Sequence, residues 1–318
     1  NNNTAFGYFA LFYNTVSNNS AFGFNALRNN TIGVQNTAVG YGSLYTNTTA
    51  SSNVAIGAYS LYYNTIGIYN TAVGKSSLER NTTGNNNTAM GFYSLLLNTS
   101  GGNNSAFGFY ALRNNTIGVN NTSVGYAALG SNTTGSQNTA VGYIALNANT
   151  IGVANTAVGY SSLNSNTTGS YNNAFGYTSL TSNTTGVYNS AFGHGSLANN
   201  TIGIGNVAIG YYASLSNTTG NYNTAVGSQA LFANTIGTNN VAIGNSSLAA
   251  NTTGTSNTAV GFNSLALNTI GMENSAFGMG ALQSNTTGSS NSAFGHGALL
   301  YNVTGNKNSA FGYKALAN

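Results

Sequence analysis

An A-x-G triplet, with x usually Val, Phe or Ile, sets the pitch of this chain. Its glycine falls at Gly7, Gly23 and Gly40 and then every 17 residues to Gly312, making 19 occurrences in 318 residues. Strict self-similarity at a short period marks an array of stacked units, each too small to fold alone, and overrides the two-domain prior of length. The segment Asn155–Gly169, NTAVGYSSLNSNTTG, is a representative unit.

Several positions hardly vary between units. Numbered from the triplet glycine, position −4 is Asn in all 19 units, as at Asn155, and position −2 is Ala in 18, with Ser123 the exception. Position +4 is Leu nearly everywhere, as at Leu163, and near Gly210 it reads as a slip by one residue to Leu215. Position +7 is Asn in every complete unit, as at Asn166. Position +9 alternates mainly between Ile and Thr in a five-unit block, so RNNTIGV at Arg28 recurs 85 residues on at Arg113. Growth by block duplication, rather than a unique site, is the pattern this implies.

Helix is disfavoured by the glycine, asparagine and threonine content of every unit. Thr156–Tyr160 reads at period two, with Thr156, Val158 and Tyr160 on one face and Asn155, Ala157 and Gly159 on the other. Seventeen residues leave room for two or three short strands per unit. Asn166–Gly169 is expected to be a corner in which Gly169 supplies positive φ. One Val, one Leu and one Ala bury far too little surface to offset the ordering of a whole unit, so the units must stack. The fold class expected is all-β: a parallel β-solenoid, or β-roll, of about 19 coils of 17 residues. Residues 1–318 are expected to form one continuous solenoid, itself a segment of a longer chain.

The structural ladders are assigned to Ala157, Leu163, Asn155, Asn166, Gly159 and Gly169. A position that admits only Ala, such as Ala157, faces something close. Its neighbour accepts Val39, Ile56, Met90 or Phe107 and therefore has slack. That places Ala and Leu inside a thin coil and leaves an apolar stripe outside, larger than a monomer usually exposes. Self-association into a homotrimer or a filament would cover it.

Triplets such as NTAVG, NSAFG and NVAIG, with the glycine corner that follows, resemble the head repeats of trimeric autotransporter adhesins. The longer NTAVGYxSLxxNTTG unit is also similar to repeats of bacterial surface proteins and phage tail-fibre-like proteins. The resemblance spans the whole chain, although the adhesin repeat is shorter. It implies a left-handed β-roll, a trimer and an extracellular, cell-surface or virion tail-fibre location. A triangular left-handed helix of hexapeptides is the alternative architecture, because Ala157, Leu163 and Gly169 are spaced six and six.

Chemistry is thinly represented. Charged residues make up 3% of the chain, against about 25% in ordinary domains. The net charge of +4 is spread over six cations, too dilute for a nucleic-acid face. There is no cysteine, so neither disulfides nor thiolate metal sites arise. No apolar run approaches the ~20 residues of a membrane helix. Glu79 and Glu273 are the only side-chain carboxylates and lie about eleven coils apart by sequence. His194 and His296 are six coils apart. Neither pair makes a dyad or a metal site, so no catalytic, cofactor-binding or metal-binding residue is expected, and the chain is not expected to be an enzyme.

Two surface features remain. Position +1 is aromatic in 12 of 19 units, including Tyr126, Tyr143, Tyr160 and Tyr177, which reads as a self-packing ladder or as a platform for carbohydrate. N-T-T sequons at Asn132, Asn166 and Asn183 are candidate glycosylation sites, with a hydrogen-bonded Asn ladder as the alternative. The functional expectation is a structural extracellular rod or filament segment, an adhesin head or shaft, surface fibre or tail fibre. The second reading is a carbohydrate- or ice-binding solenoid acting on a host or cell surface.

Overall fold

A strand of three residues recurs once in every coil. The computed structural model describes residues 2–317. Among them are 19 strands and no helix, so the chain is an all-β, parallel β-solenoid. It divides into two units, Asn1–Asn155 and Thr156–Asn318. The first carries β1 (Thr4–Phe6) through β9 (Thr139–Val141), the second β10 (Thr156–Val158) through β19 (Ser309–Phe311). Within each, a strand pairs in parallel with the one a coil further on, like residue on like. Ala38 pairs with Ala55 in the first unit, and Ala157 with Ala174 in the second.

The remainder of the coil forms turns and bends, not the further strands for which its length left room. Its backbone is nonetheless bonded to the next coil: Leu163 N donates to Ser179 O at 3.0 Å, Ser165 N to Thr181 O at 3.0 Å and Thr167 N to Thr184 O at 2.9 Å. The ladder therefore continues around the coil without an extended conformation. The cause is a set of left-handed residues in each repeat, here Ser161 (φ +54°), Leu163 (φ +51°) and Tyr171 (φ +59°). Each interrupts any extended run.

This backbone explains the choice of leucine. Position +4 is fully buried and left-handed in coil after coil, as at Leu27, Leu112, Leu163 and Leu231. A β-branched side chain is disfavoured in that conformation, which only the partly buried Ile144 (φ +48°) and Thr178 (φ +51°) adopt among the described Val, Ile and Thr residues, whereas Leu branches one atom further out. The coil of Gly210 does not slip as its sequence suggested. Ser214 takes the left-handed core position (φ +50°, 1% exposed) and Leu215 lies half-buried beside it. The Ser214 hydroxyl is buried without a hydrogen-bond partner.

Ala157 and Leu163 are both fully buried, and Ala157 stands against backbone, as the single exception shows. Ser123 occupies the same position, and its Oγ donates to the carbonyl of Ala128 across the coil at 2.6 Å. No side chain longer than Ala or Ser fits there.

The triplet glycine answers two demands at once. Gly159 has φ +129°, outside the range of L-residues, and at Gly261 an added Cβ would lie 2.6 Å from the carbonyl oxygen of Gly278 in the next coil. Gly169 meets only the second demand. The chain does bend at Thr167 and Thr168, but Gly169 is absent from the positive-φ residues, which corrects the left-handed conformation expected of it from sequence. A Cβ there would stand 2.5 Å from the Gly186 carbonyl oxygen and against the Asn166 amide. Close approach, not turn geometry, selects this glycine.

Candidate functional site

The fixed asparagines face inward. Asn155 and Asn166 are fully buried, as are their equivalents along both units except Asn3, Asn14, Asn302 and Asn308 in the end coils. At the +7 row, Asn183 Nδ2 donates to Asn166 Oδ1 of the preceding coil at 2.9 Å and to the Gly186 carbonyl at 3.0 Å. At the −4 row, Asn189 Oδ1 accepts the backbone N–H of Asn206 at 3.0 Å, while Asn189 Nδ2 donates to Gly203 O at 2.8 Å. These amides bond the carbonyls of the bends and the N–H groups that open the strands, so that buried polar groups find the partners they require. The same burial bears on the glycosylation candidates. Asn132, Asn166 and Asn183 are 0% exposed, and their Nδ2 atoms, where a glycan would attach, donate to Gly135, Gly169 and Gly186. The folded coil has no room for a sugar on any of them.

The outer surface carries the candidate functional groups. Position −1 presents an apolar row: Phe175 is 36% exposed, Phe192 39% and Ile209 43%. Position +9 presents a second, with Ile202, Ile236 and Ile270 each about half exposed. Threonine at position +8 spends its hydroxyl between coils, as where Thr184 Oγ1 donates to Thr201 O at 3.1 Å.

The four ladder tyrosines stand on this surface, each nearly half exposed. Tyr126 and Tyr143 stack at 5.1 Å with 12° between planes, and Tyr160 and Tyr177 at 5.0 Å with 11°. Phe109 lies beneath Tyr126, and His194 continues from Tyr177 at 5.1 Å. Stacked in this way, the ring faces cover one another and edges point outward. His194 is thus a rung of an aromatic stack. Among the described residues, no three His, Cys, Asp or Glu side chains gather as a metal site.

The +1 row is not aromatic throughout: Ser228 and Asn245 interrupt it between Tyr211 and Phe262, and a second break lies nearer the start of the chain. Ala58 and Lys75 occupy the +1 position between Tyr41 and Phe92, so the stack is interrupted. A cleft of about 380 Å³ opens there, lined by Tyr59, Tyr62, Tyr63, Lys75, Ser76, Glu79 and Tyr93. Desolvation among these rings raises the Tyr59 phenol above its ordinary pKa, with Tyr41 and the Glu79 carboxylate adding to the shift. Desolvation, with neighbouring phenols, also raises Tyr62. Sequence reading passed over this cluster. Its signal was present in YSLYYN and in Lys75, Glu79 and Arg80, three charges within six residues of a nearly uncharged chain.

No protein-family model matches the chain, and no curated protein matches it. The protein's class is therefore defined by its architecture, a parallel β-solenoid of 17-residue coils with a polar amide core and an apolar, aromatic exterior. No helix among the described residues is long and apolar enough to cross a membrane.

Proposed function

We propose that this chain is a non-catalytic structural element, a segment of an extracellular filament, adhesin head or shaft, surface fibre or tail fibre. It assembles by self-association, as a homotrimer or laterally in a fibre. The exposed −1 row carries the reading: Phe175, Phe192 and Ile209 form a continuous apolar strip along paired strands. Contiguous apolar surface of this kind marks an interaction face. The chain offers little charge to compete with it, and the features repeated from coil to coil serve the stack rather than a pocket. The resemblance to adhesin head repeats points the same way.

Sedimentation velocity on the purified chain at micromolar concentration tests the proposal. A trimer or larger species is expected, and the triple substitution Phe175→Thr, Phe192→Thr, Ile209→Thr should shift it toward monomer while the circular dichroism spectrum stays unchanged. A stable wild-type monomer would sink the idea.

A further inference from the structure

We infer that the cleft formed by Tyr59, Tyr62, Tyr63, Tyr93, Lys75 and Glu79 binds a short neutral oligosaccharide. Along the regular ladder the aromatic faces are occupied by neighbouring rings, as for Phe109 and Tyr126 at 5.5 Å and 2°. In the cleft the rings turn. Tyr59 meets Tyr41 at 69° and Tyr62 at 64°, and Tyr62 meets Tyr63 at 75°. Tyr45 backs Tyr62 in a parallel stack at 5.0 Å, and Tyr110 backs Tyr93 in the same way at 5.8 Å. The rings are therefore held from behind at differing angles, a rigid aromatic wall. An aromatic face carries negative charge density and accepts the polarised C–H groups of a pyranose.

Polar groups at the same place suit hydroxyls. The Glu79 carboxylate has no hydrogen-bond or ion-pair partner among the described residues, and it accepts from two donors at once. Lys75 supplies an ammonium donor beside the Phe92 ring, 5.8 Å from its centroid. The phenols of Tyr59 and Tyr62, held in their protonated form, both donate and accept. Lys75 in the lining offsets Glu79, and Arg80 stands behind the lining with its guanidinium 5.4 Å from the Tyr63 ring centroid, so the wall does not favour a cationic ligand. The volume lies within the ~300–1,000 Å³ of small-molecule sites.

The full chain, titrated separately with cellotriose, maltotriose, mannotriose and N-acetylated chitotriose, tests it by saturation-transfer NMR and calorimetry. At least one should bind with one site per chain. Glu79→Gln, which is isosteric, and Tyr63→Ala should each weaken that binding by about tenfold or more. Tyr160→Ala, in the regular ladder, should leave it unchanged, and melting curves verify that each variant is folded. The inference is overturned if none of the four binds at about 10 mM, if binding survives both cleft substitutions, or if tetramethylammonium binds there and the sugars do not.

Discussion

Leucine in a left-handed conformation is the residue-level choice on which the coil depends. It fills the interior from a backbone position where Val or Ile would be strained, and Ser214 shows the consequence of its absence. Flanked a coil away on either side by buried Leu197 and Leu231, that serine buries an unsatisfied hydroxyl where its neighbours bury an apolar side chain. Ser214→Leu should therefore stabilise the protein by about 2 kcal/mol, read as a higher denaturation midpoint in guanidinium. Glycine sets the opposite limit. Gly261→Ala forces a Cβ against the Gly278 carbonyl in a conformation closed to L-residues, and should cost about 3 kcal/mol or more in the same measurement.

At the scale of the element, a three-residue strand is too short to persist alone, and the coil is secured by what lies between strands. The asparagine rows do this from within. Asn200 bridges Asn183 Oδ1 and the Gly203 carbonyl, and accepts from Asn217 Nδ2 at 2.8 Å. Asn200→Ala removes all three at once in a buried setting. A loss of about 3 kcal/mol is expected, with faster amide exchange at Gly203 and its neighbours measured by NMR. The −4 asparagines hold the start of each strand from the preceding coil, which fixes the register that the Ala-on-Ala pairing shows.

For the whole molecule, the scarcity of charge governs how stability responds to solution conditions. Six cations and two carboxylates in 318 residues leave few groups whose ionisation could unfold it. The melting temperature should vary little with salt, and little between about pH 5 and 9. Alkali is different. Tyr59, Tyr62 and Tyr212 have raised pKa values in the fold, Tyr212 through its hydrogen bond with Tyr211 and the others through desolvation. A group whose folded pKa lies above its unfolded value contributes stability that is complete below the unfolded pKa, here about 10. That stability is lost as pH rises through the folded value, because the unfolded chain releases its protons first. Melting curves from pH 8 to about 12, followed alongside tyrosinate absorbance, should fall from about pH 10 upward.

The period, the strand around Ala157, the buried Ala and Leu rows and the exposed Val/Phe/Ile row follow from sequence alone. Each is a local regularity repeated 19 times, and stacking turns it directly into a ladder. The register of pairing follows for the same reason, since coils of equal length place like residues together. Tertiary structure decided what depends on backbone direction and on neighbours a coil away. A serine at position 214 took the place of a leucine because the chain's left-handed turns fix which residue points inward, whatever its identity. Gly169 proved necessary for its contact with the next coil, which no reading of a single corner could supply. The tyrosine cleft arises where one ladder is interrupted and side chains from several coils rotate into the gap, so its chemistry belongs to the stack and not to any one repeat.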